Sequence, residues 1–166
     1  MSWSMTEWAA LAAKAARGAG APPAQAQAFG RAAAQHLAQG RAAEDLARAL
    51  GALPGGPILS LPPALIAAQV DAGTGLQTTL AAPDGPALAQ SYVEGLPWRV
   101  TVLRAEGGTL CFALDTGTPA PRATPARLTP PPALVKRMEA LAERTFVPET
   151  DASRQRGAGA GLTDSD

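Results

Sequence analysis

Apolar residues recur every three to four positions through the first fifty residues, and turn residues then break the pattern. Ser4-Met5-Thr6-Glu7 has the form of a capping box, in which the hydroxyl takes the Glu7 N–H and the carboxylate reaches back to Ser4. Trp8, Leu11, Ala12 and Ala15 follow at helical spacing, which predicts a helix over about 5–17 with Gly18 as its left-handed stop. Pro22-Pro23 suits the first turn of a second helix, whose stripe is Ala26, Phe29, Ala33 and Leu37 and whose end is Gly40. A third helix over about 41–52 carries Leu46, Leu50 and Leu53 and stops at Pro54-Gly55-Gly56. Residues 1–53 thus read as a helical unit within a single domain.

Beyond Pro57 the pattern shortens. Ile58-Leu59-Ser60-Leu61 reads as a short strand, and Pro62-Pro63 followed by 64–70 as a short helix. Leu76–Leu80, with two threonines between leucines, has strand chemistry, and 83–86 is a turn. Residues 87–93 fit either element. Residues 98–103 and 109–114 flank Glu106-Gly107-Gly108 and predict a β-hairpin, with Leu110, Phe112 and Leu114 on one face and Cys111 and Ala113 on the other. This makes 54–128 the β-rich part. From 116 to 132 the chain is rich in Pro, Thr and Arg and reads as a surface connection. Thr129 is placed to cap a helix over 129–145, with Pro130 and Pro131 in its first turn and Leu134, Met138 and Leu141 as its stripe. Residues 146–166 form a Gly-rich tail without periodicity. The fold class expected is α+β: an N-terminal helical unit, a small mainly antiparallel sheet, and a C-terminal helix with its tail folded back.

Composition removes several classes of function. At 166 residues the chain can bury a core without disulfides or metals. Its 14 basic and 14 acidic residues cancel, and no third of the chain is basic enough to neutralise a phosphate backbone, so no nucleic-acid partner is expected. One cysteine and one histidine leave no multi-cysteine or His-rich metal centre, and neither a metal nor another cofactor is expected. The N-terminus has no basic region followed by an apolar run, and no window approaches the roughly 20 apolar residues of a membrane span. A cytoplasmic protein without membrane association is the resulting expectation. Alanine is nearly a quarter of the chain and aromatics are 4%, so a few large side chains must do most of the packing.

Candidate chemistry concentrates in the tail. Arg154 and Arg156 lead into Gly157, Gly159 and Gly161, and Thr163-Asp164-Ser165-Asp166 follow. Glycines at every second position let backbone N–H groups approach a ligand, and the arginines suit a carboxylate or phosphate. The spacing matches neither a dinucleotide fingerprint nor a P-loop, because the third glycine of the first would fall at Leu162. The candidate ligand-binding residues are Arg154, Arg156, Gly157, Gly159, Gly161 and Asp164. Glu149 and Asp151 read as solvated turn carboxylates, His36 as a partly buried or surface residue with no Ser or Asp beside it in sequence, and Cys111 as a small buried hydrophobe. Trp3 and Trp8 read as core and staple packing.

Ser4-Met5-Thr6-Glu7 with Lys14–Gly20, and Phe146–Arg154 with Gly157–Asp166, resemble the two ends of an uncharacterised bacterial protein family from alphaproteobacteria and relatives. The resemblance covers about a third of the chain, and the C-terminal motif is the more specific part. This chain has Phe146 where that family often has Tyr, and Ser165 where it often has Asn. The family has no assigned reaction, so the resemblance implies no mechanism; it does imply that the tail is ordered, against the body of the protein or a partner. Two functions remain. The favoured one is a non-catalytic accessory or small-ligand-binding protein using the tail, with a protein partner, a second copy of the chain or an anionic small molecule as its partner. The alternative is a small hydrolase or lyase acting on a carboxylated metabolite, with Arg154 and Arg156 holding substrate and Asp151 or Asp164 as acid or base.

Overall fold

In a computed structural model, residues 2–72, 77–121 and 127–145 are described. Among them the order is β1 (Trp3–Ser4), α1 (Met5–Gly18), α2 (Pro23–Ala38), α3 (Ala43–Gly51), α4 (Pro57–Ala72), β2 (Gln77–Ala81), α5 (Pro86–Glu94), β3 (Trp98–Glu106), β4 (Thr109–Pro119), β5 (Arg127–Leu128) and α6 (Pro132–Glu143). The class is α+β.

Local chemistry accounts for the first helices. Both halves of the capping box form at α1: the Glu7 N–H donates to Ser4 Oγ at 3.1 Å, and the Ser4 N–H donates to the Glu7 carboxylate at 2.8 Å. Those bonds hold the Glu7 carboxyl below its ordinary value. Gly18 does not take the left-handed stop; that conformation falls to Gly20, at φ 102°. Gly18 instead ends α1 where a Cβ would overlap the Leu141 carbonyl oxygen of α6. Gly30 of α2 does the same against the Ala9 carbonyl oxygen of α1. Two glycines and the buried Ala12, Ala15, Ala16 and Ala33 thereby let α1 sit close between α2 and α6, which is how an alanine-rich chain makes a core with few large residues.

Three segments depart from the pattern reading. The strand and short helix expected from 58 to 70 are one helix, α4, with Pro62 and Pro63 inside it. Its buried residues Ile58, Leu61, Leu65, Ala68 and Ala72 keep helical spacing throughout, and this burial outweighs the two backbone N–H groups that the prolines remove. Residues 86–94 resolve as α5, burying Leu88, Ala89, Tyr92 and Val93. The surface connection holds structure of its own: β4 continues to Pro119, and Leu128 of β5 pairs with Trp3 of β1. Thr129 does not cap the last helix, because Pro131 takes the cap position and α6 begins at Pro132.

The hairpin forms as expected on a two-residue loop, Gly107 and Gly108, at φ 57° and 72°. The sheet is antiparallel in the order β2-β4-β3, so β4 is central and β3 lies at an edge. Leu110, Phe112 and Leu114 of β4 are fully buried, beside Leu80 of β2. The register slips between Val102 and Arg104, and Leu103 at this irregularity is exposed. Cys111 is half-buried on the opposite face, not within the core. α4 packs on β2, α5 on β3 and β4, and α2 on both helices. Trp3 and Trp8 meet edge to face with centroids 5.9 Å apart, Trp8 wholly buried and Trp3 partly so. No helix among the described residues is long and apolar enough to cross a membrane.

Candidate functional site

Two clefts adjoin α5, one near each of its ends. The larger, about 310 Å³, lies between the N-terminal half of α2, the middle of α4 and the end of α5. Ala24, Ala28, Arg31 and Ala32 supply the α2 wall, and their spacing places them on one face over two turns. Pro62, Pro63, Leu65 and Ile66 of α4 face them, and Tyr92 and Leu96 close the third side. Small α2 side chains make the opening, and the prolines leave the α4 wall rigid and apolar.

The polar side chains of this cleft are Gln25, Arg31, Gln69 and Tyr92, and the Gln69 amide donates to the Leu65 carbonyl at 3.2 Å. Tyr92 is 5% exposed, and its buried hydroxyl has no hydrogen-bond partner. An unmade bond of this kind costs about 1 to 3 kcal/mol, and the buried Trp3 and Trp8 indole N–H groups carry the same cost. Burial pushes the phenol well above its ordinary value, against the opposing charge of Arg31, so the hydroxyl stays a neutral donor. Arg31 is exposed and makes no ion pair or hydrogen bond among the described residues. No Asp or Glu lines the cleft. α2 also starts here without a side-chain cap or a first-turn acid, so the positive end of its dipole is unopposed by a side chain of its own first turn. The cleft is therefore a mainly apolar slot with one cation and two amide side chains, Gln25 and Gln69, in its walls.

The second cleft, about 270 Å³, runs between α3 and the turn before α5. Two of its charged groups, Asp45 and Arg48, already pair at 3.1 Å.

A buried polar network that sequence reading did not find joins α5 to α2 and the start of α3. His36 is fully buried, not partly exposed, and Ser91 from 55 positions away sits 2.8 Å from its Nδ1. The Ala42 carbonyl can only accept, so His36 Nε2, 2.9 Å away, carries the proton. The Ser91 hydroxyl proton has two acceptors within reach, His36 Nδ1 at 2.8 Å and the Ala87 carbonyl at 3.0 Å, and Ser91 Oγ accepts from Arg41 Nη1 at 2.9 Å. Arg41 Nη2 lies 2.7 Å from Glu94 Oε1, which Gln90 also reaches at 2.7 Å. The other Glu94 oxygen is equally near Nη2, an ion-pair contact without hydrogen-bond alignment. Asp45 Oδ2 stands 3.6 Å from His36 Nε2. The constellation contains a serine, a histidine and an aspartate, yet Ser91 and His36 are 0% exposed and line neither cleft. A nucleophile must meet its substrate, so this is a structural network that clamps α5 to α2 and the start of α3.

Arg154, Arg156, Gly157, Gly159, Gly161 and Asp164 lie outside the described residues, as do Glu149 and Asp151 and the expectation of an ordered tail. Arg31 and Tyr92 were not singled out by motif or spacing. The signal available was that the chain's one tyrosine falls at helical spacing with Leu88 and Ala89. No group of three or more His, Cys, Asp or Glu among the described residues could hold a metal ion. Comparison of the chain with protein-family models, curated proteins and solved structures finds no match to any of them.

Proposed function

We propose that the protein is a non-catalytic binding module that takes a small anionic molecule in the cleft between α2, α4 and α5. The observation that carries this reading is a mainly apolar cleft whose lining holds one cation, Arg31, without an ion pair among the described residues, and no acid. Pockets of this kind hold small ligands through an apolar lining and a few placed polar groups. The absence of an acid from the lining supports an anion over a cation. Arg154 and Arg156 are proposed as further cationic groups for the same ligand class.

The test is a panel of small anions and cations screened by thermal shift and calorimetric titration against wild type and Ala28→Trp. Ala28 is half-buried on the α2 wall, and an indole there occupies the slot. Saturable binding of an anion that disappears in a folded Ala28→Trp variant is the expected result. A bound anion raises the thermal midpoint, by about 2.7 kcal/mol of stability at a hundred times its Kd. Anion binding that survives in the filled variant defeats the proposal.

A further inference from the structure

We infer that the open edge of β3 is a self-association surface, on which a second copy of the chain adds its own β3 antiparallel across a two-fold axis at Val102. The inference is independent of the cleft, because no β3 residue lines it.

Strand β3 pairs with β4 on one side, and among the described residues no strand pairs with the other. The apolar inner face of the sheet runs out to that open edge: Leu114 and Phe112 are fully buried, whereas their cross-strand neighbours Val100 and Val102 are only half-buried. The bulge decides which residues of β3 share a face. Leu103 is skipped in the register, so Val100, Val102 and Ala105 lie on the inner face and Arg99, Thr101, Arg104 and Glu106 on the outer. A two-fold axis normal to the sheet keeps each face on its own side, so only registers centred on a residue are allowed. Centred on Val102, Arg99 opposes the partner's Glu106 at both ends of the seam, Thr101 opposes the partner's Arg104, and Val100 opposes the partner's Ala105. Centred on Thr101, Arg99 would oppose the partner's Arg104; centred on Arg104, that arginine would oppose its own copy. Like charges directly opposite are destabilising, so charge selects the Val102 register, which is also the longest. The end groups are available for it. The Glu106 side chain is 70% exposed, and its one ion pair among the described residues, with Arg104, is long at 3.6 Å. Arg99 is exposed. Leu103, 46% exposed, adds apolar area next to the axis. Charges and a bulge shield an edge from indiscriminate pairing, and here they leave one self-matching register open.

The experiment is sedimentation equilibrium of the full chain over a concentration series. Wild type is expected to dimerise with a Kd of about 100 μM or tighter. Arg99→Glu and Glu106→Arg each set like charges opposite one another at both ends of the seam, and each should weaken the dimer about tenfold or more. An equimolar mixture of the two variants should recover it to near the wild-type value, because a mixed dimer restores opposite charges at both ends. Circular dichroism checks that the variants are folded. Hydrogen exchange of wild type gives a readout without substitution: amides of 99–106 should gain protection with rising concentration, more than those of α6. A wild type that is monomeric at about 1 mM overturns the inference. So does a dimer that neither variant weakens, a mixture no tighter than the variants alone, or protection at 99–106 that is independent of concentration. A dimer lost in Val70→Lys and kept in both charge variants places the contact on α4, where Val70 is 77% exposed, and likewise overturns the β3 seam.

Discussion

At His36 the fold takes a titratable ring out of water and engages both of its nitrogens, and the result is a pH dependence traceable to one residue. Burial holds its pKa below the ordinary 6.5, with the Arg41 charge acting in the same direction and the Ala42 carbonyl, Asp45 and Glu94 acting against it. Above pH 6.5 the ring is neutral in both states and its contribution is whole. As pH falls below 6.5 the unfolded chain takes a proton that the folded chain refuses, so stability is lost down to the folded value. The slope is at most about 1.4 kcal/mol per pH unit. His36 is the chain's one histidine, and the lowered carboxyls of Glu7 and Asp115 act only in more acid solution. Urea midpoints between pH 7.5 and 5 should therefore decline in wild type and stay flat in His36→Gln. Equal slopes in the two would show that another group titrates. Phe112 supplies the complementary case of a residue whose role is volume alone. It is fully buried on the central strand, and Phe112→Ala should cost about 3 to 5 kcal/mol in denaturant unfolding. Loss below about 1 kcal/mol would mean that its face of β4 is not the core.

Helix packing sets opposite expectations for a substitution that propensity alone would favour. Alanine is better than glycine inside a helix by about 1 kcal/mol, so Gly18→Ala near the end of α1 looks stabilising when α1 is considered alone. Packed against α6, the new Cβ overlaps the Leu141 carbonyl oxygen, a backbone atom that can move only if the helix does. The packing effect should win. Gly18→Ala is expected to lower stability by about 1 to 3 kcal/mol, with hydrogen exchange in α6 accelerated more than in α4. A stabilised variant would show that the two helices are not held this closely. The apolar run of α4 makes a related point. Pro62 and Pro63 interrupt its hydrogen bonding, yet the stripe from Ile58 to Ala72 continues because β2, α2 and α5 cover it.

For the whole molecule, the arrangement of α2, α4 and α5 separates stability from binding. The His36–Ser91–Arg41–Glu94 network lies on the side of α5 turned to the α2–α3 junction, while Tyr92 and Leu96 contribute to the cleft. The described residues already supply the buried cluster that includes Trp8, Phe29, Ile58, Phe112 and Met138. Deleting residues 157–166 should accordingly leave this cluster folded, read as a retained cooperative unfolding transition. Truncation from 154, which also removes Arg154 and Arg156, should weaken anion binding if those arginines contribute to it. Titration of both truncations with the same anions checks this. Equal affinity in the two would leave Arg154 and Arg156 out of recognition.

Local sequence was sufficient wherever one short-range interaction decided the conformation. The capping box started α1 at its expected place, Pro22-Pro23 opened α2, and Gly107-Gly108 set the hairpin with Leu110, Phe112 and Leu114 inward. The α+β class followed from those periodicities. Elements that local signals and distant burial pull in different directions were not legible. The proline pair in α4 spoke for a break until the sheet and α5 covered its stripe, and 87–93 was ambiguous until α2 packed on it. Gly18 read as a stop because its close approach to Leu141 spans more than a hundred residues of chain. The candidate site belongs wholly to this second kind. Arg31 and Tyr92 are far apart in the chain, without motif spacing, and what marks them is a charge with no ion pair among the described residues and a hydroxyl with no hydrogen bond. Sequence specifies which donors a chain carries; only the tertiary structure decides which of them are left without partners.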